Sequence, residues 1–451
     1  MNKTRRLLTL LLALCMVAGM VPFAAFSATP EELANRKNSG SSTLVDTTIN
    51  AVSDYVATAA VEKGTKPADG TTTGNPFPKG TAGSTSFRIP ALVTLSNGTL
   101  VAAVDARWNT NYDGGGLDTL VSRSSDNGAN WSYTMANYLG DNGNTHSYSS
   151  SCFIDPALAV AKDDTVYMLV DLYPYGIALN GANQQPSTAV GFNSNGKLLL
   201  SGNDHASYDY YLDGTVIKSS NGTTVSGYTV DDHFNITGNG VSTNLFFEDS
   251  PYKVVRTGYL YLTTSTDGGA TWSAPKLLNV KTSSEKVCLV GPGRGLVTKS
   301  GMIVFPVYSY NGSSESQKTG FIYSADGGNT WNRSANFTGA GWSSEAAVVE
   351  LDSNTLRFFY RNGTSQLCYA DYTLSNGKVS GGSWGGAVST GIATNSDTQI
   401  SAITYSKTID GKQVILVSSL PVRIITAVLT VVRPIVSTAR FLYLLLRAIR
   451  P

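Results

Sequence analysis

From about Pro78 onward the chain alternates short apolar runs with polar turns. ALVTLSNGTLVAAVDARW, TVYMLVDLY, GMIVFPVYSY, AAVVELDSNTLRFFYRN and KQVILVSSL are separated by Gly, Asn, Asp and Ser. Short alternating or continuous apolar runs between such turn residues predict strands, so the folded part reads as all-β. Residues 29 to about 78 are different. They are rich in Ser, Thr, Gly, Asn and Lys with little apolar periodicity, and read as a linker.

One polar stretch repeats. SSDNGANW (Ser124 to Trp131), STDGGATW (Ser265 to Trp272) and SADGGNTW (Ser324 to Trp331) keep a Ser, an Asp, a Gly and a Trp in fixed order. A short aspartate can accept hydrogen bonds from turn N–H groups, Gly supplies positive φ, and a Trp offers a large apolar face to the next sheet. Asp126, Asp267 and Asp326 are therefore expected to staple the fold rather than to touch substrate. Repeated strand, turn and Trp units at wide spacing point to a propeller of four-stranded blades. The boxes lie 141 and 59 residues apart, so the longer gap must hold an insertion, assigned to residues 175–255.

A chain of 451 residues with 41% hydrophobic and 14% charged content can bury a large core. Its net charge of +1 argues against a nucleic-acid surface, which would need clustered Lys and Arg. The first 28 residues, with Lys3, Arg5 and Arg6 before an apolar run and small residues near Ala28, read as a secretory signal, which predicts a secreted or cell-surface protein. Cys152, Cys288 and Cys368 then remain, an odd count read as buried and free. His146, His205 and His233 show no metal-ligand spacing, so neither a metal nor a Ser-His-Asp triad is expected, and no cofactor-binding glycine loop is present.

The candidate chemistry lies at strand ends. Arg88 stands in FRIP, Arg107 in DARW, Asp113 in NYDGGG, Asp155 in IDPA, Glu345 in SSEAAVVEL and Arg361 in FFYRNG. Singly, such residues are commonly solvated or paired. Together, at the ends of strands that converge on one channel, several arginines suit a planar carboxylate.

FRIP, the three boxes and the Glu345 to Arg361 segment resemble the bacterial exo-sialidases (neuraminidases), over about residues 78–420. That resemblance implies a six-bladed β-propeller with a small inserted β domain. It implies a substrate of sialylated glycoproteins, glycolipids or oligosaccharides, and retaining cleavage without a metal. Arg88 and Arg361 match two members of an arginine triad for the substrate carboxylate, and Arg107 a further pocket arginine. Asp113 matches the general acid/base, and Asp155 a substrate-contacting aspartate on the N-acetyl side. Glu345 matches the carboxylate that deprotonates a tyrosine nucleophile, with Glu350 the second choice. The pairing has its own logic, because sialic acid carries a carboxylate at its anomeric carbon and an anionic Asp or Glu nucleophile would be repelled. Sialidases thus depart from the two-carboxylate scheme of most glycosidases.

Residue pattern and resemblance together divide the chain into a signal (1–28), a linker (29–78), a first propeller part (79–174), the insertion (175–255), a second propeller part (256–421) and a tail (422–451). Val422 to Pro451 contains five arginines and no Asp, Glu, Gly, Asn or Trp. Neither the third triad arginine nor the nucleophilic tyrosine has its motif there, although Arg423 and Tyr443 are present. The nucleophile is left unassigned. The preferred reading is a frameshift that leaves the propeller incomplete and the chain inactive. A basic amphipathic helix through Arg433, Arg440 and Arg447 is the alternative, and the apolar runs are too short for a membrane span of roughly 20 residues. An intramolecular trans-sialidase, a non-catalytic sialoglycan-binding propeller and a protein-interaction propeller are the competing functions.

Overall fold

The structure is a computed structural model that describes residues 65–108, 113–140, 150–179, 184–202, 205–313, 316–394, 398–409, 412–419, 428–432 and 442–444. The proposed signal lies outside the described residues. Apart from one 3-10 turn at Thr81–Gly83, the described elements are strands.

Five antiparallel sheets follow one another along the chain. The first runs, in spatial order, 70–73, 130–137, 117–124, 100–107 and 86–94. The second runs 276–278, 259–265, 166–173 and 152–160, with 293–294 added in parallel to the last. The third is built on 287–290, 303–310, 318–324 and 332–333, and the fourth on 346–352, 355–360, 366–375 and 378–384. The fifth comprises 401–409, 412–419, 428–432 and 442–444. The leading strands meet from sheet to sheet: 86–94 touches 152–160, 152–160 touches 287–290, and 346–352 touches both 303–310 and 401–409. This is propeller geometry, in which strand ends collect around a common axis.

Two expectations change. Gly70–Thr73, within the expected linker, forms the outer strand of the first sheet, pairing Gly70 with Tyr133 and Thr73 with Asn130. Its sequence, GTTT, carries no apolar alternation, so backbone pairing rather than side-chain burial recruits it. The alternative of a basic helix in the tail also fails where the tail is described. Val428–Val432 and Leu442–Leu444 are strands of the fifth sheet, with Ser419 opposite Val428. The β-branched run VLTVV favours that outcome. Arg433, Arg440 and Arg447 lie outside the described residues. Among the described residues, no helix is long and apolar enough to cross a membrane.

The segment between strands 166–173 and 259–265 forms two small sheets, one of 216–219, 210–213, 199–201 and 253–254, the other of 229–230, 235–238 and 241–244. Its Leu200, Ile217, Val230, Ile236 and Phe246 join the same buried cluster as Val93, Phe153, Met168 and Tyr261 of the first two sheets.

The three boxes share one bonding scheme at the outer turn of the first, second and third sheets. The Ser hydroxyl donates to the Asp at 2.7, 2.8 and 2.8 Å for Asp126, Asp267 and Asp326. The N–H four residues on, from Asn130, Thr271 and Thr330, donates to the same carboxylate at 2.9 Å in each case. The boxes also reach the preceding sheet. The Tyr167 hydroxyl donates to the Gly327 carbonyl at 3.0 Å, and a Cβ on Gly269 (φ 87°) would stand 3.0 Å from Val101.

Cys152, Cys288 and Cys368 are buried and unpaired, as read from the sequence.

Candidate active site

Arg88 and Asp155 are presented by the same local device. PheArgIleProAlaLeu (87–92) and PheIleAspProAlaLeu (153–158) head the leading strands of the first and second sheets. Each ladder shifts register there, between Arg88 and Ala91 and between Ile154 and Ala157. The residue before each proline takes a left-handed conformation, φ 57° at Ile89 and 64° at Asp155. A bulge of this kind re-aims side chains, and a non-glycine left-handed residue ahead of proline is strained and must be held by its surroundings.

What holds this end together is a chain of charges. Asp113 Oδ1 accepts from Arg88 Nη1 at 3.0 Å and from Arg107 Nη1 at 2.8 Å. Arg107, whose side chain is fully buried, donates its other nitrogen, Nη2, to Asp105 Oδ2 at 2.7 Å. Asp105 Oδ1 in turn accepts the backbone N–H of Asp155 at 2.9 Å.

Glu345 and Arg361 flank the fourth sheet's first hairpin, strands 346–352 and 355–360. Their backbones are joined by Arg361 N–H donating to the Glu345 carbonyl at 2.9 Å, and Arg361 Nη1 also donates to Glu345 Oε1. Burial pushes the Glu345 carboxyl upward while Arg361 opposes it; Asp113 and Arg88 act on it as well. Burial likewise raises Asp155 well above the carboxylate range, helped by the charges of Asp105, Glu345, Asp171 and Asp113. Arg88, Arg107, Asp113, Asp155, Glu345 and Arg361 therefore share one electrostatic environment. Glu350 is elsewhere, accepting the Lys299 N–H at 2.9 Å.

Three residues escaped the sequence reading. Asp105 is one; two positions before Arg107 on one strand, it lies on the same face, which was the available signal. Asp171 is buried in strand 166–173, accepts the Val290 N–H at 3.1 and 3.2 Å through its two oxygens, and is raised well above its ordinary range by burial. Tyr308 is buried too, its phenol held protonated by burial and by Glu345, Asp155 and Asp171 against Arg361. Nothing local in YMLVDLY or FPVYSY marks the last two. Among the described residues the Glu345 carboxylate is hydrogen-bonded to Arg361 and to no tyrosine. Asp231, Asp232 and His233 cluster on the surface of the inserted segment, where Asp231 accepts the N–H groups of His233 and Asn235 in a turn.

Residues 89–427 match the family model described as a BNR repeat-like domain. The chain is 31% identical over 392 residues to the anhydrosialidase of Macrobdella decora, covering 74% of this chain and 50% of that protein. The chain belongs to the sialidase family. Among solved structures, the NanB sialidase of Streptococcus pneumoniae superposes with a TM-score of 0.66 at 28% identity, covering 77% of this chain and 59% of that one. The intramolecular trans-sialidase of Ruminococcus gnavus does so with a TM-score of 0.65 at 29% identity, covering 77% and 80%. The fold is thus the sialidase β-propeller, and by family the chain is a glycoside-hydrolase relative. It spans about half the length of the curated sialidases it matches.

Proposed function

We propose that the cluster binds terminal sialic acid on glycoproteins, glycolipids or oligosaccharides, outside the cell, and belongs to a retaining exo-α-sialidase. The observation that supports this most is the pairing of two arginines at strand ends, Arg88 and Arg361, each already holding an acid of the same cluster, Asp113 and Glu345. A substrate carboxylate gripped by both guanidiniums competes with those acids. Asp113 is thereby released from Arg88 while Arg107 still holds it, takes up a proton from solvent and passes that proton to the leaving oxygen as general acid. Glu345 serves as the base for a tyrosine nucleophile that these residues leave unassigned, and Asp155 and Arg107 shape the wall behind the sugar.

A second reading is intramolecular trans-sialylation, which releases an anhydro sugar. The likeness to the leech anhydrosialidase and to the intramolecular trans-sialidase of Ruminococcus gnavus favours it. Turnover of a fluorogenic sialoside by the purified chain, with product mass recorded, separates the two. Free sialic acid supports hydrolysis, and a product lighter by one water supports the intramolecular reaction. Absence of turnover by the folded chain fits the loss of the nucleophile expected from the tail; where there is turnover, Asp113→Asn is expected to lower kcat by about 10²–10⁴-fold. Turnover that this substitution leaves untouched would remove the proposal.

A further inference from the structure

Arg107 and Asp155 lie on different sheets and are joined by one carboxylate that is shut off from solvent. Asp105 is 1% exposed and sits opposite Arg88 on the ladder between strands 86–94 and 100–107. Each of its oxygens has a separate duty: Oδ2 accepts from Arg107 Nη2 at 2.7 Å, and Oδ1 accepts from the Asp155 backbone at 2.9 Å. The first bond orients the guanidinium whose Nη1 holds Asp113 at 2.8 Å. The second holds Asp155 at φ 64°, a conformation that an aspartate before proline does not take unaided.

We propose that Asp105 is a positioning residue for this site: a single buried carboxylate that sets Asp113, through Arg107, and Asp155, through its backbone, in fixed relation across the first and second sheets. The inference deepens the sialic-acid reading and rests on it only for the identity of the ligand. Asp105 does not contact the reacting atoms. Its effect is geometric, and a displacement of about 1 Å at a catalytic group costs on the order of 10²-fold in rate.

Charge supports the same assignment. Burial pushes Asp105 up to about 6, against the opposing pull of Arg107 and the Asp155 N–H, and Asp113 raises it further. The groups around it on neighbouring elements include the Asp155 carboxyl, Cys152 and Asp171, which all feel its charge. As pH falls through about 6, Asp105 takes up a proton and the Arg107 ion pair loses its anion.

Two readouts on the full chain test this. In deuterated, ¹⁵N-labelled protein the Asp155 amide proton, hydrogen-bonded to the Asp105 carboxylate, shows a transition with a midpoint near pH 6, and that transition is lost in Asp105→Asn, leaving only the one from the Asp155 carboxyl itself. An Asp155 amide whose chemical shift and titration are the same in Asp105→Asn as in the unsubstituted chain overturns the inference. This readout needs no ligand. The second is calorimetric affinity for an uncleavable 2,3-didehydro sialic acid analogue. Asp105→Asn is expected to bind about 10²-fold more weakly while still melting cooperatively, with part of the loss restored by Asp105→Glu. Unchanged affinity in Asp105→Asn overturns the inference, whereas no binding by the unsubstituted chain overturns the sialic-acid reading and leaves the amide titration to decide the role of Asp105.

Discussion

Asp126, Asp267 and Asp326 show how far a residue can be read from its neighbours alone. Every bond they make lies within four positions, so three matching octapeptides carried the whole arrangement before any fold was known. Asp126 is held down to about 2 by the backbone and side-chain bonds from Asn130, and Asp326 by those from Thr330. Partial burial works against Asp267, yet its bonds from Thr271 and Ser265 bring it to about 2 as well. Because these folded values are depressed, the carboxylates contribute stability above their unfolded value of about 3.9, and it is lost as pH falls toward 2. Asp326→Asn should therefore lower the melting temperature at neutral pH and flatten its fall between about pH 4 and pH 2. A calorimetric melting series over pH checks this, and a parallel downward shift at all pH values would contradict it. Asp171 and Tyr308 were illegible for the opposite reason, and Asp105 was marked only by its place on the Arg107 face of its strand. The interactions that define them come from other strands and other sheets, which no local pattern records.

At the scale of the element, strands announce themselves through apolar runs, and those that do not bury side chains are missed. Gly70–Thr73 is such a strand. The paired bulges at Arg88 and Asp155 were half visible: the sequence marked FRIP and IDPA separately, but the shared Phe-x-x-Pro-Ala-Leu shape emerges only when both left-handed residues are seen ahead of their prolines. Packing between the third and fourth sheets depends on aromatic side chains meeting across strands. Phe321 is fully buried, with ring centroids of Phe358, Tyr372 and Trp384 at 5.2, 4.9 and 5.9 Å. Phe321→Ala is expected to cost about 3–5 kcal/mol, since a cavity opens where several rings converge. Urea unfolding measures it, and a loss below about 1 kcal/mol would mean that the two sheets collapse onto the gap.

Across the whole molecule, the inserted segment and the propeller share buried side chains, with Phe246 packed edge-on to Tyr259 at 5.4 Å. The root of the insertion is also clamped. Lys281 Nζ donates to the carbonyls of Thr188 and Ala189 at 3.0 and 2.7 Å. The two parts should therefore unfold together, giving one calorimetric transition; two resolved transitions would show that the insertion folds alone. The overall class was readable because strands, turns and boxes each repeat. The coming together of Arg88, Asp113, Asp155, Glu345 and Arg361 was legible only through the family resemblance, for it depends on ring closure among sheets far apart in sequence, which no local pattern records.

The central claim is that this convergence reads the carboxylate of a sialic acid. Titration calorimetry with the 2,3-didehydro analogue and with its neutral carboxamide tests it most directly. The account predicts that the carboxylate binds, that the carboxamide binds far more weakly, and that Arg88→Ala and Arg361→Ala each cost about 2–5 kcal/mol of affinity for the carboxylate alone. Equal affinity for the acid and the carboxamide, or indifference to both substitutions, would contradict it.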